Sequence, residues 1–341
     1  MVRIRFLFLM ISLYATRAFG QDPVFSQYYS SYLYLNPAFA SAEPTLTLSL
    51  NSRMQWASLG EPYQTNQVSL IAPLYTKSNK DMHFGGIGLS VFNDVAGSGK
   101  LRTQGAYGTL SYNLNLSDKN RILFGMQGGM IQKSIDFASL QWGSQYDPYN
   151  GFNSSIDAGE TTVNESSIYA DLGAGIMYIL NPDRNIHEKG GSFDLGGSVY
   201  HLNQPNESIV EGITSKLPML IKIHGGAEYT FGTKFNVSPD FIVATQNGVY
   251  QINAGLYINY SFGNLESRFT PNRVILGGWY RVGDAYIGTV GLASNYWALG
   301  FSMDYNQSSL RYFTRGQGAY EISLRIHKPR PRATVLSDPR L

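Results

Sequence analysis

The stretch Thr109-Leu110-Ser111-Tyr112-Asn113-Leu114-Asn115-Leu116 decides the fold. Leu110, Tyr112, Leu114 and Leu116 alternate with Thr109, Ser111, Asn113 and Asn115. Successive side chains of an extended strand point to opposite faces, so this segment has one apolar and one polar face. The same period recurs further on. Ile252, Ala254, Leu256, Ile258 and Tyr260 alternate with Gln251, Asn253, Gly255 and Asn259, and Trp297, Leu299, Phe301, Met303 and Tyr305 with Ala298, Gly300, Ser302 and Asp304. Soluble sandwiches alternate too, so length and punctuation arbitrate. Many segments run 9–14 residues, nearer the roughly 9–11 of a tilted bilayer crossing than the roughly 5–6 of a soluble strand. Aromatic residues gather at segment ends, as in Tyr257-Ile258-Asn259-Tyr260, Trp279-Tyr280 and Tyr296-Trp297, which suits rings at headgroup depth.

Outward from this stretch, about fourteen such segments are legible: 45–53, 64–75, 84–94, 103–116, 121–134, 166–180, 192–202, 218–231, 234–245, 249–262, 272–281, 284–292, 295–305 and 318–327. The number is even, as closed bacterial barrels require. The expected fold is all-β: a closed antiparallel transmembrane β-barrel of about 14 strands over residues 45–327. With both termini in the periplasm, Ser117-Asp118-Lys119-Asn120 and Gly232-Thr233 become tight periplasmic turns, and 135–165, 203–217 and 306–317 become outer loops. The short connections 246–248 and 282–283 also land outside, against that pattern. The pairs Gly85-Gly86, Gly128-Gly129, Gly196-Gly197 and Gly225-Gly226 read as bulges or bends.

Composition agrees. The 341 residues include 26 Lys and Arg, 24 Asp and Glu and no Cys; 15% are charged and 13% aromatic. Soluble domains carry about 25% charge. Without cysteine there is no disulfide, thiol chemistry, Cys-ligated metal or lipid-anchored cysteine. A formal charge of +2 leaves no basic footprint for nucleic acid. Residues 1–20 read as a secretory signal peptide: Arg3 and Arg5, an apolar run Phe6 to Tyr14, and Ala18-Phe19-Gly20 before Gln21. Its removal leaves 23 basic against 24 acidic residues. No later run approaches the roughly 18 apolar residues of a transmembrane helix, so any membrane crossing is made by strands. Residues 21–44, with Asn36-Pro37, read as an irregular or short helical periplasmic segment or plug; 328–341 reads as a basic periplasmic tail. The expected location is the bacterial outer membrane, reached by Sec-type export and crossed many times.

Motifs of chemistry are sparse. His83, His187, His201, His224 and His327 are scattered, without a metal-binding pair. Gly97-Ser98-Gly99-Lys100 has Asp94 and Leu101 where a phosphate loop needs Gly and Ser or Thr. Gly173-Ala174-Gly175 has Tyr178 where a dinucleotide turn needs Gly. Asp147, Asn150, Asn153, Asp157 and Glu160 put five oxygen-bearing side chains in one loop, without EF-hand spacing; a solvated loop explains them as well. Asp171, Asp194, Glu228, Asp304 and Glu321 fall on or near polar faces, where Lys222 and Arg325 are placed to pair with them inside the lumen. The reading is a non-enzyme with no catalytic, cofactor-binding or metal residue and no cofactor.

Several stretches resemble the PorP/SprF-like outer-membrane proteins of Bacteroidota. Gln21-Asp22-Pro23-Val24-Phe25-Ser26-Gln27-Tyr28 and Leu35-Asn36-Pro37-Ala38-Phe39-Ala40 are similar to that family's opening. Arg53-Met54-Gln55-Trp56, Ala72-Pro73-Leu74 and Gly86-Ile87-Gly88-Leu89-Ser90-Val91-Phe92-Asn93-Asp94 follow in order. Leu276-Gly277-Gly278-Trp279-Tyr280-Arg281, Asp304-Tyr305-Asn306-Gln307-Ser308-Ser309-Leu310 and Gly318-Ala319-Tyr320-Glu321-Ile322-Ser323-Leu324 close the set, so the resemblance spans about 21–327. A tail after Ile326, in place of a final aromatic residue, departs from the usual barrel ending.

The resemblance implies an auxiliary outer-membrane component of the type IX secretion and gliding machinery. Such a protein supports secretion and surface anchoring of a large adhesin through the adhesin's C-terminal domain. A core component linked to periplasmic lipoproteins, or a polar-lumen porin, are the alternatives. Expected partners are outer-membrane lipid, the adhesin and secretion-system lipoproteins, with no nucleic acid. Candidate contact residues from these stretches are Asn36, Pro37, Trp56, Asn93, Asp94, Asp304, Tyr305 and Glu321; Lys328, Arg330 and Arg332 of the tail are candidates for an acidic partner. Turn, girdle and loop-entry roles account for Asn36-Pro37, Trp56 and Asn93-Asp94 equally well.

Overall fold

A computed structural model describes residues 22–76, 83–159, 166–182, 189–210, 212–262, 270–328 and 340–341. Residues 1–20, expected to be a signal peptide, and Glu160, His187, Arg330 and Arg332 lie outside them. Fourteen antiparallel strands form a closed barrel: β1 (Leu46–Gln55), β2 (Tyr63–Tyr75), β3 (His83–Ala96), β4 (Leu101–Ser117), β5 (Asn120–Ser134), β6 (Ser166–Leu180), β7 (Gly190–Tyr200), β8 (Leu220–Phe231), β9 (Phe235–Gln246), β10 (Val249–Ser261), β11 (Arg273–Arg281), β12 (Ala285–Ala293), β13 (Trp297–Asn306) and β14 (Gln317–Lys328). Each strand pairs with its sequence neighbours. The barrel closes where β1 meets β14, from Leu46 opposite Lys328 to Gln55 opposite Ala319. The loop between β5 and β6 adds a small hairpin, Tyr146–Asp147 with Gly151–Phe152, that alternation does not reveal.

The alternation becomes inside and outside. On β4, Leu110 is 66% exposed and Thr109 2%. Leu299, Phe301, Met303 and Tyr305 of β13 face outward, while Ala298, Ser302 and Asp304 are buried. Exposed rings sit near the turn end at Tyr229, Phe231, Phe235 and Tyr260, and near the loop end at Tyr250, Tyr286 and Tyr305, as a lipid-facing belt with two girdles requires.

The lumen is filled by the chain itself. Residues 22–44 lie inside the barrel as a plug rather than outside it: a 3₁₀ turn Tyr28–Ser30, one α-helical turn Tyr32–Leu35 and a second 3₁₀ turn Pro37–Ser41. Tyr29, Tyr32, Leu33 and Phe39 are buried against inward-facing Ile71, Leu123, Met177 and Ile275. Those four strand residues break the polar-inside pattern because a peptide, and not water, faces them. Close approach also explains two glycines. A Cβ on Gly86 would stand 1.7 Å from Ala40 O, and one on Gly125 2.3 Å from Ala38 N. Gly86 therefore makes room for the plug rather than bending its strand.

A filled lumen predicts no stable conductance in planar bilayers for the native barrel. Gly86→Val forces residues 36–41 aside, at a cost of about 1–3 kcal/mol, and conductance steps absent from the native barrel are expected to appear in that variant.

Candidate functional site

Four inner-face side chains converge on the start of the plug: Arg53 on β1, Arg281 on β11, Asp304 on β13 and Glu321 on β14, all buried. Arg53 Nη2 lies 2.9 Å from Asp304 Oδ2 and Nη1 3.3 Å from Glu321 Oε2. Arg281 Nη1 lies 3.0 Å from Asp304 Oδ2 and 3.2 Å from Asp284 Oδ2. The plug completes this set. Ser26 Oγ donates to Asp304 Oδ1 at 2.7 Å and accepts from Arg53 Nη1 at 2.7 Å and Arg281 Nη2 at 3.0 Å. One hydroxyl thus uses its donor and both lone pairs. The backbone N–H groups of Ser26 and Gln27 donate to the two Glu321 oxygens at 2.6 and 3.1 Å. Two guanidiniums against two carboxylates leave this desolvated cluster balanced, which is the condition under which buried charge is tolerated.

A second anchor holds the plug at the loop end. His201, just after β7, puts Nε2 2.8 Å from Asp22 Oδ2 and Nδ1 3.0 Å from Asp171 Oδ1. Tyr107 OH donates to Asp171 Oδ2 at 2.7 Å. Burial opposes charge on the imidazole, but Asp22 and Asp171 on either side outweigh it and push His201 up to about 10. Burial likewise raises Asp22, and the adjacent His201 overrides it, holding the carboxyl below its ordinary value. Among the described residues Lys222 takes no carboxylate in a direct contact. Its Nζ donates to Tyr34 O at 2.6 Å and stands 3.7 Å from the Tyr34 ring centroid, a cation–π seat.

Above the plug, at the loop end, the barrel opens into a vestibule of about 710 Å³. Trp56, Tyr63, Phe92 and Tyr169 supply aromatic lining, and Asp94 and the pair Lys133–Glu207 (2.8 Å) supply charge. Trp56 carries a left-handed backbone, φ 56°, an uncommon conformation for a bulky residue. Its ring packs edge-on to Tyr63, with centroids 4.9 Å apart, and its backbone N–H donates to Gly318 O at 2.8 Å.

Residues 18–326 match the family described as type IX secretion system membrane protein PorP/SprF. The chain belongs to that family. No curated protein matches it. Among solved structures it is similar to the Ralstonia pickettii toluene transporter TbuX, at 10% identity and TM-score 0.51, covering 88% of this chain and 94% of that one. The Pseudomonas putida toluene transporter TodX gives 11% identity and TM-score 0.46 over 87% and 92%. At such identity TbuX supports the fold alone, an outer-membrane barrel.

In this PorP/SprF barrel the residues anticipated as contacts scatter. Asn36 and Pro37 are inside the lumen. Asn36 Oδ1 accepts from Ala38 N at 2.9 Å, and its Nδ2 donates to Ile176 O at 3.1 Å and Gly197 O at 3.2 Å, so Asn36 fastens the plug to the wall. Asp304 and Glu321 belong to the buried cluster. Asp94 and Trp56 line the vestibule, with Asp94 accepting from Thr65 Oγ1 at 2.6 Å. Tyr305 faces outward. Asn93 lies one strand position from inward-facing Asp94, on the opposite face of β3; Lys328 ends β14, exposed. Asp147, Asn153 and Asp157 cap their own turns, accepting from Tyr149 N, Ser155 N and Gly159 N. Among the described residues no three His, Asp or Glu gather as metal ligands. Ser26, Arg53, Arg281, Asp22 and His201 were not anticipated as site residues. The signal was present for the first four, because each lies in a stretch that carried the family resemblance.

Removing Arg53 leaves two buried carboxylates to one shared guanidinium. Arg53→Ala is expected to weaken plug docking by about 3–5 kcal/mol, read as chymotrypsin cleavage at Tyr28, Tyr29 and Tyr32 in the folded barrel. Asn93→Ala and Lys328→Ala are expected to stay within about 0.5 kcal/mol of the native protein. The Asp22–His201 anchor carries a pH signature. His201 titrates higher in the fold than its ordinary 6.5, so its contribution is complete below 6.5 and is lost as pH rises through about 10. Asp22 titrates below its ordinary 3.8, so its contribution holds above 3.8 and is lost as pH falls past that value. Relative to His201→Gln, the native barrel is therefore expected to lose thermal stability between pH 6.5 and 10, read as the difference between the two thermal midpoints at each pH.

Proposed function

We propose that this barrel is an auxiliary component of type IX secretion that supports export and cell-surface anchoring of a large adhesin through the adhesin's C-terminal domain. The supporting observation is the combination of a plugged lumen with an aromatic-lined vestibule at the loop end. A barrel filled by its own chain is poorly suited to passing solutes, and an open cavity lined by Trp56, Tyr63 and Tyr169 offers the residue types that dominate protein interfaces. In this reading the loop end faces outward and the vestibule receives the partner.

The proposed role is non-catalytic: Arg53, Arg281, Asp304, Glu321, Asp22 and His201 are engaged in holding the plug. Trp56→Ala with Tyr63→Ala, on opposite sides of one aromatic contact, removes anchoring surface without touching the buried cluster. In the native outer membrane the double variant is expected to retain roughly tenfold less adhesin, the size of effect that aromatic hot spots carry. Deletion of the gene with every large surface adhesin still in place contradicts the proposal. Co-purification of periplasmic lipoproteins alone assigns the protein to the core machine instead.

A further inference from the structure

Away from the vestibule, the turn-side half of the lumen contains a second built site, occupied by Arg340 and Leu341. The Arg340 guanidinium enters a slot between two inward carboxylates, with Nη1 2.6 Å from Asp194 Oδ1 on β7 and 3.0 Å from Asp240 Oδ1 on β9. Its guanidinium carbon stands 4.2 Å from the centroid of the Tyr29 ring. Arg325 Nη2 donates to Arg340 O at 3.0 Å, and Tyr257 OH donates to Leu341 O at 2.7 Å. Leu341 is completely buried.

The wall is shaped for these two side chains. A Cβ on Gly291 or Gly300 would stand 2.5 or 2.9 Å from Leu341 Cδ1, and one on Gly226 2.8 Å from Arg340 Nη1. Three strands thus carry glycine where the pair is seated. Asp194 and Asp240 are both buried, and two such carboxylates facing one slot need a cation between them to remain charged. The barrel therefore presents an anionic slot roofed by an aromatic ring, and one residue further on an apolar hole. That chemistry selects a basic residue followed by an aliphatic one.

We propose that this is a lumenal receptor for a basic–aliphatic residue pair, filled by the chain's own Arg340–Leu341, and that its occupation bolts the plug in place. The bolt acts through shared partners. Arg325, which holds Arg340 O, also donates to Tyr29 O at 3.4 Å and to the Tyr32 hydroxyl, and Tyr29 roofs the guanidinium. Plug and tail are therefore held by the same wall residues, and withdrawal of the pair loosens both.

The absence of cysteine from the sequence makes the test direct. Leu341→Cys and, as an exposed reference, Tyr149→Cys are made separately and reacted with a maleimide on the folded barrel. The Leu341→Cys thiol is expected to react roughly 100-fold more slowly than the reference, because reaction waits on local opening. Adding Asp194→Asn and Asp240→Asn is expected to bring its rate close to the reference. Equal rates for the two single-cysteine proteins overturn the receptor. In a separate variant, Arg340→Ala is expected to raise chymotrypsin cleavage at Tyr28, Tyr29 and Tyr32 by roughly tenfold, through the same opening equilibrium. Unchanged cleavage overturns the bolting.

Discussion

The desolvated cluster of Arg53, Arg281, Asp304 and Glu321 around Ser26 is the constraint on which the rest of the interior depends. Strands of a barrel this size leave a lumen that water or protein must fill. Four charges placed on its wall tolerate burial only when each is paired and most of their remaining polar atoms are met. The plug supplies one hydroxyl and two backbone N–H groups toward that end, and of this cluster Arg53 Nε alone is without a partner among the described residues. Once Ser26 and Gln27 are fixed there, the following residues run down the lumen, and the apolar side chains Tyr29, Tyr32, Leu33 and Phe39 find Ile71, Leu123 and Ile275 on the wall.

This arrangement separates the lumen into compartments. At the loop end, Asp22 and His201 hold the first described residues of the plug below an open vestibule. At the turn end, Asp194 and Asp240 hold Arg340, and Leu341 packs against glycine-bearing strands. Between them the plug blocks the axis. A barrel so built has an open cavity on one side and a filled interior on the other, the arrangement on which the proposed holding role rests.

The barrel was legible because alternation is a local property. Leu110 and Thr109 face opposite ways whatever lies inside, and strand limits read from such pairs fall within a few residues of those in the structure. The plug was half legible: Asn36-Pro37 and the lack of alternation set 21–44 apart, but its position inside the lumen depends on contacts across some 270 positions, such as Ser26 with Asp304. The inward Ile71 and Leu123 depart from the polar inner face for the same reason, since polarity of an inner face follows its neighbour and no single strand reveals that neighbour. The tail read as periplasmic from its basic composition. Where it is described, at Arg340 and Leu341, it is inside the barrel, because two carboxylates from distant strands, Asp194 and Asp240, converge to receive the guanidinium. The family stretches proved informative in a way their residue types alone were not: Ser26, Arg53, Arg281, Asp304 and Glu321 come from separate stretches and meet in one cluster.

Hydrogen exchange of residues 22–44 in the folded, lipid-embedded protein tests the central claim most directly. A plug clamped by the buried cluster is predicted to exchange on the slow timescale of β1 and β14, whose residues hold it. Exchange of that segment as fast as the exposed loop 146–159 would contradict the account.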